Sequence, residues 1–263
     1  SLKEYLSGSL GRVGGLSAAP YASFAEKLAE TIQTTSAAPD LSGAPQDSSR
    51  TEVRCEVVEL CAGHGGPSTK IRPLLRDLGV DTQWLLSDLR PPPTPHRAML
   101  EEEAGVTYVP EPVDATAVPD LDAYFEDGGA TGGRLRLITN AFHHFQPEVA
   151  RAVLADAIAS GDRVAILEVQ ARHPLHLFAI LFSPLTAILL SPTIKPWRWS
   201  RLFWVLSLIG PLVVLFDGIM SCLRVYAPKE LDALTEGLDG TWESGRLPMK
   251  GPGFVTYLIG TPP

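Results

Sequence analysis

An α/β fold, with a doubly wound and mostly parallel sheet covered by helices on both faces, is what the sequence predicts, and two observations predict it. From Glu52 onward, short runs of β-branched and aliphatic residues alternate with helix-length stretches, the pattern of βαβ units whose crossovers cover a sheet. The first run, Val57-Val58-Glu59-Leu60, feeds straight into Cys61-Ala62-Gly63-His64-Gly65-Gly66-Pro67, a small-residue turn that opens a helix. Glycines at 63, 65 and 66 let the backbone bend tightly and let a ligand come close to the main chain. The helix start adds free N–H groups and the positive end of a dipole. Strand, glycine turn and helix N-terminus form a nucleotide-type cradle at the carboxyl edge of a parallel sheet. An ordinary tight βα turn is the plain alternative.

Taken in order, residues 1–35 have helical spacing, clearest at Phe24, Ala25, Leu28 and Ile32. The stretch from Ser36 to Thr51 is rich in Ala, Pro, Ser, Asp and Gly without periodicity and reads as a linker. Strands are then expected at 52–60, 82–87, 106–110, 135–139 and 163–169, with helices at 67–78 and 147–160, the latter placing Pro147 in its first turn. The second strand ends at Asp88, just before the Pro91-Pro92-Pro93 stop. After residue 225 come a helix at 228–236 and two strands, 241–246 and 254–259, joined by the turn of Pro248 to Gly253. The domain organisation that follows is an N-terminal helical cap and linker (1–51), a core (52–172 and 226–263) and an apolar helical insertion (173–225).

Composition narrows the function. The chain has 263 residues, 45% of them hydrophobic, enough for one α/β domain with an appendage. Its net charge is −8 and it has no dense Lys/Arg cluster, which argues against nucleic acid as the main partner. Cys55, Cys61 and Cys222 are odd in number and lack a CxxC pair. No disulfide framework or metal site is expected from them, and a reducing, cytoplasmic setting fits best. The N-terminus also lacks a signal-peptide pattern.

Strand position gives the polar residues meaning. Glu59 ends the first strand beside the glycines. Asp88 ends the second, where an acid can accept both hydroxyls of a ribose. Asp114 follows the third, where its carboxylate could accept from the exocyclic amine of adenine, and Asn140 ends the fourth. Any one of them could be a solvated loop acid or a helix cap; together they converge on one rim.

At these residues the sequence resembles the class I S-adenosylmethionine-dependent methyltransferases of the small-molecule branch. Glu59-Leu60-Cys61-Ala62-Gly63-His64-Gly65 is similar to that family's first motif, Ser87-Asp88-Leu89 to its second and Val113-Asp114-Ala115 to its third. Asn140-Ala141-Phe142-His143-His144-Phe145 resembles its segment after strand four, and Tyr226 to Leu231 with the terminal strand pair also fit. The resemblance covers about residues 52–170 and 226–260. It implies a Rossmann-like, seven-stranded sheet with an antiparallel last strand and S-adenosyl-L-methionine as cofactor. Glu59 with Gly63 and Gly65 would hold its methionine part, Asp88 and Leu89 its ribose region, Asp114 and Ala115 its adenine, and Asn140 the methionine end. One departure is Cys61, which stands where the family has its first glycine; a small side chain fits there if φ stays below zero. A nucleotide-dependent oxidoreductase is the neighbouring alternative, but the GxGxxG spacing is absent and Glu59 precedes the turn. A non-catalytic binding or membrane-interaction module on the same fold is the other.

Transfer of a sulfonium methyl rests mainly on aligning the acceptor, worth roughly 7–11 kcal/mol for well-oriented groups. A base adds about 10²–10⁴-fold where the acceptor carries a proton. His143 and His144 are the candidates, by residue type and place; helix capping or packing is their structural alternative.

Residues 173–216 break the α/β rhythm. Between Arg172 and Lys195 no charged residue occurs, a second uncharged run spans Leu202 to Phe216, and Lys195-Pro196-Trp197-Arg198-Trp199-Ser200-Arg201 separates them. Three readings stand: a greasy lid of helices, with or without a partner subunit such as a second copy; an interfacial hairpin making peripheral membrane contact; and a membrane span. All three imply a small hydrophobic acceptor, with Phe142, Trp197 and Trp199 as residues to bind it. Asp217, among apolar neighbours, is expected to pair with Arg224.

Overall fold

The computed structural model describes residues 20–36, 53–104, 106–125, 132–190, 203–204, 207, 209–249 and 253–263. The expected linker, Trp197 and Trp199 lie outside the described residues, as does the stretch before Pro20.

The first described helix, α1 (Ala22–Ser36), buries Phe24, Ala25, Leu28 and Ile32, the residues whose helical spacing predicted it. Then come β1 (Val53–Leu60), α2 (Ser68–Asp77), β2 (Val80–Leu86), α3 (Thr94–Ala104), β3 (Thr107–Tyr108), β4 (Arg134–Thr139), α4 (Pro147–Ala159) and β5 (Arg163–Glu168). The insertion contributes α5 (Pro174–Leu181), α6 (Ser183–Leu190) and α7 (Ile209–Arg224). The chain closes with α8 (Pro228–Thr235), β6 (Thr241–Pro248) and β7 (Phe254–Thr261). The order in the seven-stranded sheet is β3-β2-β1-β4-β5-β7-β6. The first five strands pair in parallel, and β7 runs antiparallel to both its neighbours. This is the doubly wound, mostly parallel, seven-stranded arrangement with an antiparallel last strand that the sequence predicts.

Two apolar layers flank the sheet. One holds α1, α2 and α3 through Phe24, Ile71, Leu75 and Leu100 against Val57, Leu86 and Leu137. The other seats α4 and α8 through Val153, Leu154, Leu231 and Leu234 against Val58, Ile138 and Ile166. Alternate residues of β1 thus serve opposite layers, the signature of a strand covered on both faces. The one buried guanidinium of β4, Arg136, is neutralised by Asp156 of α4 and by Asp162, at 2.5 and 2.7 Å.

Two elements depart from expectation. Helix α3 follows the three prolines, where the sequence suggested only a stop: Pro93 lies just ahead of it, and Leu100 anchors it to the core. Strand β3 is two residues long rather than five, because it pairs only with Leu85 and Leu86 at the sheet edge.

Candidate functional site

The parallel register places the candidate residues side by side. Glu59, the penultimate residue of β1, sits opposite Leu86, so that Asp88 lies two residues past the neighbouring strand tip. On the other side Thr139 of β4 sits opposite Leu167, which sets Asn140 beside Glu168 at the end of β5.

Glu59 is buried beneath the turn and accepts the indole N–H of Trp84 at 3.1 Å. Burial pushes its carboxyl up to about 7 despite help from Ser68 and Trp84. Asp88 accepts the Gly63 N–H at 2.9 Å on one oxygen and the Arg90 N–H at 2.8 Å on the other. It thereby pins the glycine turn to β2, and each oxygen keeps a lone pair for a further donor. Tyr108 clamps the same turn from β3, donating its hydroxyl to the Gly63 carbonyl at 3.0 Å. Burial and the charges of Asp88 and Glu59 drive that phenol well above its ordinary range.

The turn itself is made of left-handed residues. Gly63 and Gly65 have φ of +51° and +66°. A Cβ on Gly65 would come within 3.0 Å of Leu86, whereas one on Gly63 would meet nothing within 4 Å, so the turn's outer side is open to a ligand. Cys61 corrects an expectation. Its φ is +56°, not negative. A side chain in that region costs about 1–2 kcal/mol, which the two hydrogen bonds bracing the turn hold in place. The Cys61 thiol is pushed up to about 12, first by burial and then by the charges of Asp88, Asp114 and Glu59.

Asp114 is exposed and accepts both the backbone N–H and the hydroxyl of Thr116, at 2.9 and 2.8 Å, which hold its carboxyl below the usual range. Only one of its oxygens is used by these bonds. Its neighbour Ala115 has its methyl in the core, leaving its main chain as the part that could face a ligand. Leu89 beside Asp88 is 57% exposed, an apolar side chain offered to solvent at the cradle's edge.

At the other end, Asn140 has φ +54° and accepts the Val169 N–H at 2.8 Å, tying β4 to β5. Sequence reasoning missed three residues here. Tyr21, at the start of α1, lies near Asn140 and Glu59 at the rim, and burial pushes its phenol up to about 12. Tyr108 is the second. Glu168 is the third: one oxygen accepts the His143 backbone N–H at 3.0 Å and the other lies 2.9 Å from His143 Nδ1. With Nδ1–H donated to this buried carboxylate, Nε2 is the basic nitrogen, and it is buried without a hydrogen-bond partner. Its strand-end position, the criterion that found Glu59, could have found Glu168.

The structure separates the two histidines. His143 is buried, while His144 is exposed with its ring 4.3 Å from that of His143. It also corrects Phe142, which is fully buried against Phe145 and Tyr226 and packs the core instead of facing an acceptor. Helix α7 contacts the Phe142–His144 turn, so the insertion adjoins the histidines. The expected Asp217–Arg224 pair is absent: both are exposed, and no ion pair joins them among the described residues. Arg172 pairs instead with Glu230, at the foot of the insertion.

No family model matches the chain, and no curated protein matches it. Solved structures do. The magnesium protoporphyrin IX methyltransferase of Synechocystis PCC 6803, with bound SAH, is 10% identical over 96% of this chain and 89% of its own, with a TM-score of 0.45. The citrinin polyketide synthase CMeT domain is 13% identical over 81% of this chain, with a TM-score of 0.45, and the chain spans 48% of that structure. A structure from Rhodobacter sphaeroides described as a putative Zn-dependent alcohol dehydrogenase is 14% identical over 84% of this chain and 92% of its own, with a TM-score of 0.43. At these identities the likeness is one of fold.

Proposed function

We propose that the chain binds S-adenosylmethionine along the rim from Asp114 to Asn140 and transfers its methyl group to a small hydrophobic acceptor at O, N or S. The observation that carries this reading is the placement of Glu59 and Asp88 at the carboxyl ends of the neighbouring parallel strands β1 and β2, with Asp88 accepting the N–H of the left-handed Gly63 in the turn between them. The residues fit the cofactor's chemistry. A buried acid offers a counter-charge to an ammonium, Asp88 has acceptor capacity for a ribose diol, Leu89 offers an apolar contact to a base, and Gly63 leaves the backbone open. When bound, that cofactor supplies an already activated methyl group.

The chain's own part is then orientation and one proton. Asn140 and Tyr21 fix the inner end of the cradle, and Glu168 holds His143 in the tautomer whose Nε2 can accept a proton from the acceptor. The insertion, packed by α7 on the histidine turn, lines the acceptor side. Incubating the protein with S-adenosylmethionine and a panel of apolar phenols, amines and thiols tests the reading. Acceptor-dependent formation of S-adenosylhomocysteine that falls in His143→Ala is the expected result; cofactor binding without any turnover would favour a non-catalytic module.

A further inference from the structure

Among the described residues, helix α7 buries one apolar stripe and exposes another, and α5 and α6 expose apolar side chains beside it. Helix α7 turns Pro211, Val214 and Cys222 inward, and Gly218 lets it approach α5, where a Cβ would sit 2.9 Å from Ile180. Its outward residues, Ile209, Leu212, Val213, Phe216 and Leu223, recur at helical spacing. Leu175 and Phe178 of α5, Phe182 at its C-terminal end, and Leu185 and Leu189 of α6 are exposed as well. Among the described residues, thirteen of the sixteen large apolar side chains that stand exposed lie between Leu175 and Leu223, so the patch belongs to the insertion and not to the fold in general.

Among the described residues no single helix is long and apolar enough to cross a membrane. The 16 residues of α7 reach about 24 Å, short of the roughly 30 Å hydrocarbon core. Its continuation across a 56° bend is α8, whose Leu231 and Leu234 are already committed to the sheet. An apolar face too short to span suits the interfacial plane.

Charge selects the occupant. Within 173–225 the charged residues are Asp217 and Arg224 of α7, which offset each other, and Lys195, Arg198 and Arg201, which lie outside the described residues in the chain between α6 and α7; the segment's net is +3 in a chain of net −8, so the remainder carries −11. Two copies meeting through this segment would bring like charges together, whereas an anionic lipid surface attracts the insertion and repels the remainder, orienting the molecule. We infer that the outward face of α5, α6 and α7 docks on an anionic phospholipid bilayer, without spanning it. Because α7 also packs on the histidine turn, the docked face adjoins the candidate acceptor side.

The test is co-sedimentation of the whole chain with vesicles of phosphatidylglycerol and phosphatidylcholine, against vesicles of phosphatidylcholine alone. Binding is expected to the anionic vesicles, weaker to the neutral ones, and weakened by salt. Phe178 and Phe216 are 59% and 68% exposed, so the double variant Phe178→Asp/Phe216→Asp is expected to keep its melting temperature and S-adenosylhomocysteine binding while vesicle partitioning falls by about tenfold or more. Absence of binding to anionic vesicles, or equal binding by a folded double variant, overturns the inference. So does a dimer in light scattering without vesicles that the double variant disperses, which would make the face a contact between copies. The outcome is independent of cofactor binding, so it stands or falls apart from the proposed function.

Discussion

The rim and the insertion treat their side chains in opposite ways. At the rim, polar groups are held and most are buried: Glu59 by Trp84, the half-buried Asp88 by two backbone N–H groups, His143 by Glu168. On the insertion, apolar groups are exposed and nothing among the described residues covers them. Each inverts the usual rule of burial, and each inversion costs free energy that folding alone would not spend. The two are the parts of the chain that the proposed cofactor site and the proposed docking face draw on.

Mutations can break or sharpen this contrast. The largest effect is expected at the histidine: His143→Ala should lower turnover by about 10²–10⁴-fold with cofactor affinity unchanged, measured by steady-state kinetics beside calorimetry. Glu168→Gln keeps the shape but removes the carboxylate that orients the ring. It should lower kcat less and move the acidic limb of the pH–rate profile; a merely structural Glu168 would leave that limb in place. Asp88→Ala should weaken cofactor binding about hundredfold by removing two charged acceptors, while residues of the insertion should not affect it.

A pH effect belongs to the rim alone. The Glu59 carboxyl ordinarily titrates near 4.5 and in the fold near 7, so the protonated form is favoured by folding. That contribution to stability is complete below about 4.5, declines as pH rises toward 7, and is gone above it. It amounts to about 3 kcal/mol in the ligand-free protein. Denaturant melts of wild type and Glu59→Gln at pH 5 and pH 8 should differ in slope by this order. A cationic ligand beside Glu59 reverses the preference, so cofactor affinity should rise with pH toward neutrality in the wild type and not in Glu59→Gln. The smallest effect is at Cys61→Gly: relieving its left-handed φ should stabilise the fold by up to about 1 kcal/mol in a thermal melt, offset in part by the freer unfolded chain.

The contrast also explains what could be read beforehand. The places of Glu59, Asp88 and Asn140 at the strand ends were legible because each ends an apolar run, and a parallel sheet aligns such ends whatever the loops do. Glu168 also ends an apolar strand, Arg163–Glu168, but its meaning depends on a histidine 25 residues earlier. Tyr21 looked like one more apolar helix position, because the rim it reaches is built by chain far away. The sign of φ at Cys61 depends on how the turn closes between β1 and β2, a three-dimensional constraint no residue type announces. Helix α3 was masked by its prolines. Phe142 was misread because the short turn carrying it rotates its ring into the core while the next residue faces Glu168.

The most direct test of the central claim is calorimetric titration of the protein with S-adenosylhomocysteine, in wild type and in Asp88→Ala. A one-to-one binding isotherm that Asp88→Ala weakens about hundredfold is the predicted result. No heat at millimolar ligand, or the same affinity in both proteins, would contradict it.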